Sequence, residues 1–400
     1  MGPTARDFPS GFLFGAATSA HQVEGGNDGC DWWAWERRGG AKDPSGAACD
    51  HYRRYPEDIA LVKELGLGSY RFSVEWARVE PEEGRFDEGA LRHYRDMVER
   101  CRELGVEPIV TFHHFTLPTW LSDRGGVLAR DSSRLFARYC RTVAEALKGR
   151  VTWVLTINEP MVLVLMGYVQ GVWPPGKRPA SQVIKAARRL VSWHEEAFAA
   201  IRQVDPAMRL GIAKHWIDFR PLDAGDAMHR LGRRLQHQLF NRWYLDRVKS
   251  HCDFIGINYY ARQYTTGLLR QVPLATPDAP RTEMGWSIVP EGLHLALTEA
   301  SGYGLPLIVT ENGIACRDDR WRIRYIDRHL AAVHEAIAAG ADVRGYQYWS
   351  LLDNFEWAEG YRPQFGLVAV DLGTQKRTVR ESARHYGEIA RTGRLPDAID

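Results

Sequence analysis

The feature that most restricts the fold is a regular alternation of short apolar runs with amphipathic stretches, repeated eight times. The short runs are rich in β-branched residues and predict buried strands, whereas apolar residues at three- and four-residue steps predict helices. Strands that alternate with helices form parallel sheets, and eight such units in 400 residues predict a closed (β/α)8 TIM barrel. Neither a low-complexity linker nor a shift in composition divides the chain, so we expect one domain over residues 1–400.

The predicted strands and helices alternate along the whole chain. The strands are Phe12–Ala17, Ser69–Val74, Pro108–Phe112, Val151–Ile157, Arg209–Ala213, Asp253–Asn258, Leu305–Thr310 and Arg344–Trp349. The helices are Tyr52–Leu65, Ala90–Leu104, Ser132–Leu147, Ser181–Val204, Leu231–Val248, Glu291–Ser301, Ile323–Ala339 and Arg380–Ala390.

Polar and aromatic residues concentrate where the predicted strands end. They are Gln22, Arg71, His114, Asn158, Glu159, Asn258, Tyr260, Glu311, Trp349, Glu356 and Trp357. The carboxyl ends of parallel barrel strands meet at one rim, where the active sites of this fold lie, so these residues should converge. A carboxylate that follows a buried strand, such as Glu159 or Glu311, costs free energy unless it is paired or used.

Glycoside hydrolysis requires this combination of side chains. One carboxylic acid protonates the leaving oxygen while a second carboxylate attacks or stabilises the anomeric carbon. Sugar hydroxyls bind Gln, Asn, His and Glu, and the apolar faces of sugars pack on aromatic rings. The 14 Trp, 16 Tyr and 14 Phe residues of this chain fit such a pocket.

Six motifs carry a resemblance to glycoside hydrolase family one, the β-glucosidase and β-galactosidase family. They are SAHQVEG at Ser19–Gly25, RFSVEW at Arg71–Trp76, TINEP at Thr156–Pro160, NYY at Asn258–Tyr260, IVTENG at Ile308–Gly313 and WSLLDNFEW at Trp349–Trp357. They follow the family's order and extend over nearly the whole chain.

The resemblance implies a retaining β-glycosidase that acts on short β-glycosides, chiefly glucosides, with galactosides or fucosides as side substrates. It implies Glu159 as acid/base and Glu311 as nucleophile, with Arg71 and Tyr260 holding Glu311. Burial and the charge of Glu311 should keep Glu159 protonated at rest, and Arg71 should keep Glu311 ionised. The implied sugar-binding residues are Gln22, His114, Asn158, Asn258, Trp286, Trp349, Glu356, Trp357 and Phe365.

Three departures from the family pattern bear on specificity. Phe115-Thr116 stands where many members have Trp-Asp, and Glu75 occupies a place that is often small or polar. Arg362 lies near the phosphate ligand of the branch that cleaves phosphorylated sugars, but that branch lacks a carboxylate at the position of Glu356. A non-catalytic sugar-binding relative is the other alternative, and the presence of both catalytic carboxylates argues against it.

Composition and short motifs exclude other classes of function. The chain has 52 basic and 50 acidic residues, so we expect neither a nucleic-acid nor an anionic-membrane partner. No apolar run is long enough for a signal peptide or a membrane span. Six cysteines without a CxxC pair predict free thiols and a cytoplasmic location. His113-His114 lacks a third ligand at metal spacing, so we expect no metal and no cofactor.

Overall fold

The computed structural model describes residues 6–272 and 281–396, and its centre is a closed barrel of eight parallel strands. The strands are β1 (Leu13–Ala17), β2 (Ser69–Ser73), β3 (Glu107–His113), β4 (Trp153–Asn158), β5 (Arg209–Pro221), β6 (Phe254–Thr265), β7 (Leu307–Asn312) and β8 (Val343–Trp349). Each strand pairs in parallel with the next, and β8 pairs with β1. The predicted TIM barrel is confirmed.

Helices follow the strands around the outside of the barrel. The main ones are His51–Glu64, Glu88–Glu103, Ser132–Leu147, Ala180–Val204, Ala227–Gln236 with Trp243–Val248, Pro290–Ser301, Asp319–Ala338 and Glu381–Thr392. Short helical segments are Ala20–Val23, Asp31–Glu36, Trp76–Val79, Thr119–Asp123, Gly126–Leu128, Pro160–Leu163, Val164–Gln170, His237–Arg242, Lys249–His251 and Trp357–Glu359. The short strands Gln271–Val272, Val368–Val370 and Arg377–Val379 lie outside the barrel.

The sequence-based ends of β5 and β6, at Ala213 and Asn258, are wrong. Both strands continue, to Pro221 and Thr265, and pair with each other over this added length. Polar residues interrupt the apolar runs there, but mutual pairing satisfies the backbone groups of both strands. The extension raises one side of the rim above the rest of the barrel.

The fifth helix is also interrupted, although the sequence predicts a continuous helix over Leu231–Val248. A π-helical turn at His237–Arg242 separates two α-helical pieces. Within this turn Asn241 accepts a hydrogen bond from the backbone N–H of Ile217 (3.1 Å) and donates one to its carbonyl oxygen (2.8 Å). The turn thereby ties the helix to the extended edge of β5.

Apolar side chains fill the barrel below its polar rim. One buried cluster inside the barrel consists of Ile109, Trp153, Leu155, Ala213, Phe254 and Ile308. All six cysteines are buried free thiols. Among residues 6–272 and 281–396, every helix is too short or too polar to cross a membrane. Because the cluster inside the barrel is apolar, the polar rim is the part of the barrel where polar chemistry can take place.

Candidate active site

Glu311 lies at the end of β7, where the apolar run LIV gives way to polar residues, and its side chain is almost fully buried. Arg71 Nη1 donates to Glu311 Oε1 at 2.6 Å, and the Tyr260 hydroxyl donates to Oε2 at 2.8 Å. Both carboxyl oxygens are thus held by charged or polar donors, which compensates the burial of the charge.

Arg71 is the fully buried centre of this arrangement. Its Nη1 also donates to the Thr310 carbonyl oxygen (2.9 Å), Nη2 to Asn158 Oδ1 (2.8 Å) and Nε to Thr111 Oγ1 (3.1 Å). The guanidinium therefore connects its own strand, β2, with β3, β4 and β7. Its planar fork of donors suits this role, which a lysine could not fill.

Glu159 directly follows β4 and adopts left-handed backbone geometry, with φ of 45°. Pro160 then starts a short helix, so the chain turns sharply at the glutamate and its side chain faces the barrel axis. Glu159 Oε1 accepts from Asn258 Nδ2 (2.9 Å) and contacts His215 Nδ1 (3.0 Å). This backbone strain is held in place by buried polar contacts.

The pKa shifts of the two carboxyls run opposite to the expectation of a protonated Glu159 and an ionised Glu311. Burial raises the pKa of Glu311 to about 7; Arg71 opposes this rise and the charge of Glu159 adds to it. Burial also acts to raise the pKa of Glu159, but the charge and hydrogen bond of His215 outweigh it and bring that pKa below its usual value. Arg71 contacts Glu311 and is the group that favours the charge on this carboxyl.

Both carboxyls open into a cavity of about 490 Å³ at the carboxyl ends of the strands. Its lining includes Gln22, His114, Tyr260, Trp349, Glu356, Trp357 and Phe365, which we call the inner part because all but Glu356 are buried, and the half-buried Trp286. Gln22 Nε2 donates to Glu356 Oε2 at 3.3 Å, so one hydrogen-bonding group orients the other. The rings of His114 and Trp349 lie nearly parallel, with centroids 5.9 Å apart.

The family model for glycosyl hydrolase family 1 matches residues 4–250 and 246–394. The chain belongs to glycosyl hydrolase family 1. It is 41% identical to the solved β-glycosidase from Pyrococcus horikoshii, with a TM-score of 0.94, covering 98% of this chain and 97% of that one. A β-glucosidase from Thermotoga maritima solved with glucoimidazole is 32% identical, with a TM-score of 0.92, covering 98% and 100%. The bifunctional β-D-glucosidase/β-D-fucosidase of Bifidobacterium breve is 34% identical over 95% of this chain and 97% of that protein.

Ten of the thirteen side chains predicted for the site line the cavity of this family 1 glycosyl hydrolase, and three lie behind its wall. The three are Arg71, Asn158 and Asn258, all fully buried. Asn258 donates both to Glu159 and to Asn158 Oδ1 (3.1 Å), so its amide hydrogens are already engaged. Its position suits holding the Glu159 carboxyl better than binding a sugar directly.

Sequence reasoning missed the groups that β5 contributes to the glycosidase site. His215 contacts Glu159, and the buried Lys214 lies beside it. The signal was present, since a Lys-His pair directly follows the predicted strand end at Ala213. Polar residues at strand ends marked Asn158 and Glu311 in the same way.

Two other sequence features acquire a structural meaning in this family 1 enzyme. Thr116 Oγ1 donates to Glu75 at 2.9 Å, so these two departures from the family pattern form one buried pair. His113 packs against Phe136 and Trp193, whereas its neighbour His114 faces the cavity. The adjacent histidines thus point in different directions.

Proposed function

We propose that this family 1 glycosyl hydrolase is a retaining β-glycosidase that releases the non-reducing-end sugar of short β-glycosides, with β-glucosides as its main substrates. The observation that carries the proposal is that two buried carboxyls, Glu159 and Glu311, line one cavity, while Arg71 and Tyr260 hold Glu311. The named activities of the relatives in Thermotoga and Bifidobacterium support the choice of β-glucosides.

In the first step, a carboxylate oxygen of Glu311 attacks the anomeric carbon. The proton of Glu159 passes to the glycosidic oxygen as the bond to the leaving group breaks. A covalent glycosyl ester forms on Glu311, and Glu159 is left as a carboxylate. Tyr260 and Arg71 have to yield the attacking oxygen as the ester forms, so they tune the charge on Glu311 as well as hold it.

In the second step, Glu159 takes a proton from water and the resulting hydroxide displaces Glu311 from the sugar. The negative charge of Glu311 no longer raises the proton affinity of Glu159 once the ester has formed, so Glu159 can act as a base. Two inversions at the anomeric carbon give a product of the same configuration as the substrate.

The inner part of the cavity supplies the groups that a sugar ring requires. Gln22 and Glu356 offer an amide and a carboxylate side by side, and His114 offers a ring nitrogen. Trp349 and Trp357 offer flat apolar surfaces for the sugar's C–H groups. Epimers of glucose can use the same groups, which is why galactosides and fucosides remain as side substrates of the proposal.

A phosphorylated sugar is the second candidate, since Arg362 lies beside the site. Its Nη2 donates to Glu359 Oε2 at 3.0 Å, so its charge is already paired. Glu356 and Glu359 both line the cavity and would repel a phosphate. The unphosphorylated glycoside therefore fits better. The cytoplasmic location and the single domain over the full chain also stay part of the proposal.

The test combines product stereochemistry with removal of the nucleophile. Proton NMR during hydrolysis of 4-nitrophenyl β-D-glucoside should show β-glucose first, and Glu311→Gly should lower kcat roughly 10⁴-fold or more while the protein stays folded. An α-configured first product would refute the retaining mechanism. Unchanged turnover in Glu311→Gly would refute the role of that carboxylate.

A further inference from the structure

We infer that His215 is a positioning residue for the acid/base: its Nδ1–H engages Oε1 of Glu159, leaves Oε2 to deliver the proton, and stabilises the carboxylate that proton transfer creates. This inference rests on the proposed function, because it assigns a partner to Glu159 in that mechanism. The contact that carries it is the Nδ1···Oε1 distance of 3.0 Å.

The surroundings of His215 fix its ring in this position. The ring lies nearly parallel to that of Tyr260, at a centroid distance of 6.0 Å and 19° between planes. On another side it meets the edge of Phe240, with centroids 5.9 Å apart and 89° between planes. Only 16% of the side chain is exposed, and that part lines the cavity. A ring packed in this way holds a hydrogen bond in one direction.

The two carboxyl oxygens of Glu159 have different roles, because its hydrogen-bond partners approach only one of them. Asn258 and His215 both approach Oε1, and no hydrogen bond to Oε2 occurs within residues 6–272 and 281–396. In the tautomer with hydrogen on Nδ1, both partners donate to Oε1. The catalytic proton then resides on Oε2, the oxygen that remains for the leaving group.

The charged groups around His215 come from several elements. Glu159 faces it from the end of β4, and Tyr260 from β6, with its hydroxyl on Glu311 of β7. On β5, Lys214 Nζ donates to the His215 carbonyl oxygen and lies 4.5 Å from the Phe240 ring centroid. Burial lowers the pKa of Lys214 to about 7, against the attraction of Glu159. From the π-helical turn, His237 faces the Lys214 side.

The effect on the reaction follows from the change in charge. In the first step Glu159 passes its proton from Oε2 to the glycosidic oxygen, and the bond between that oxygen and the anomeric carbon breaks. The new carboxylate is a stronger acceptor than the acid was, so the Nδ1–H bond strengthens as the reaction proceeds. Leaving groups that depend most on protonation should gain most from this support.

The experiment compares His215→Phe, which keeps a ring but loses the donor, with His215→Asn, which keeps an amide donor. In His215→Phe, kcat/KM for methyl β-glucoside should fall about 10-fold more than for 2,4-dinitrophenyl β-glucoside, whose leaving group needs no protonation. The alkaline limb of the pH profile should shift upward by about 0.5–1 pH unit, because Glu159 loses a donor to its charged form. His215→Asn should restore most of the difference between the two substrates.

The matched control is His237→Phe, which removes an imidazole near Lys214 without a contact to Glu159, and which should change neither readout. Equal losses on both substrates and an unmoved alkaline limb in His215→Phe would overturn the inference and leave His215 a structural residue. Absence of glucoside hydrolysis by the wild type would instead refute the proposed function.

Discussion

The inner and outer parts of the cavity are built on different chemical principles. The inner part carries polar groups that position one another, as Gln22 does Glu356. What we call the outer part is the portion of the lining formed by one apolar cluster, with Val162, Leu165 and Ile217 among its members. Hydrogen bonds to hydroxyls demand fixed directions, whereas apolar contacts require only surface. The inner part should therefore decide which sugar is cleaved, and the outer part how well an apolar leaving group binds.

Among the changes that test this comparison, the largest effect should come from the proposed acid/base, Glu159, which lines the same cavity. Glu159→Ala should lower kcat for alkyl β-glucosides about 10²–10⁴-fold, because the leaving oxygen loses its proton donor. Added azide should restore turnover of 2,4-dinitrophenyl β-glucoside and yield the β-glucosyl azide, identified by NMR. An α-azide, or no rescue in a folded variant, would contradict the assignment.

A smaller but still large loss should follow from a change in the inner part. Gln22→Ala removes an amide that donates to the Phe355 carbonyl oxygen (2.8 Å) and to Glu356. We expect kcat/KM for aryl β-glucosides to fall about 10²-fold, since each lost buried hydrogen bond costs about 1–3 kcal/mol. The loss should be similar for aryl and octyl glucosides. A loss that depended on the leaving group would break the distinction between the two parts.

A change in the outer part should act on the leaving group alone. Leu165→Ala removes apolar contact surface and should raise KM for octyl β-glucoside about 5–10-fold, with little effect on methyl β-glucoside. Leu372→Ala, on the exposed surface away from the cavity, is the matched control. Equal effects on both glucosides would show that the outer part does not select the leaving group.

The last prediction concerns stability rather than activity and distinguishes Glu356 from Glu359, which also lines the cavity but is paired with Lys42. Burial raises the pKa of Glu356 to about 8, whereas an unfolded glutamate titrates at about 4.3. The unfolding free energy should therefore fall as pH rises through this interval, because the folded state binds the extra proton. Glu356→Gln should melt several degrees above wild type at pH 9 and equal to it at pH 4, by calorimetry.

Glu359→Gln is the control for this measurement. The pKa of Glu359 is lowered by its hydrogen bond from Lys42, with Arg362 assisting, so its removal should give no gain at pH 9. The same melting difference for Glu356→Gln at both pH values would contradict the claim that the raised pKa of Glu356 lowers stability at high pH.

The sequence predicted the elements whose apolar pattern repeats along the chain and missed the features that depend on tertiary contacts. The helix Ser132–Leu147 is observed within its predicted bounds, since its apolar residues follow a regular period. The end of β5 was missed because pairing with β6, a tertiary contact, extends it past Lys214 and His215. The outer wall could not be predicted either, because apolar residues such as Leu165 give the same pattern in a core as in a binding surface.

The hydrogen bonds of Arg71 join the first half of the chain to the second, which matters if the enzyme is cut into two polypeptides. Arg71 and Glu159 lie in the first four strand–helix units, whereas Glu311 lies in the last four. A cut between Val204 and Arg209 would place the two carboxyls on separate polypeptides and leave the guanidinium without its carboxylate partner. Each piece would be inactive alone, and turnover would report the joining of the two. The barrel should thus serve as a split reporter, with background activity in either single piece as the measurement that would rule it out.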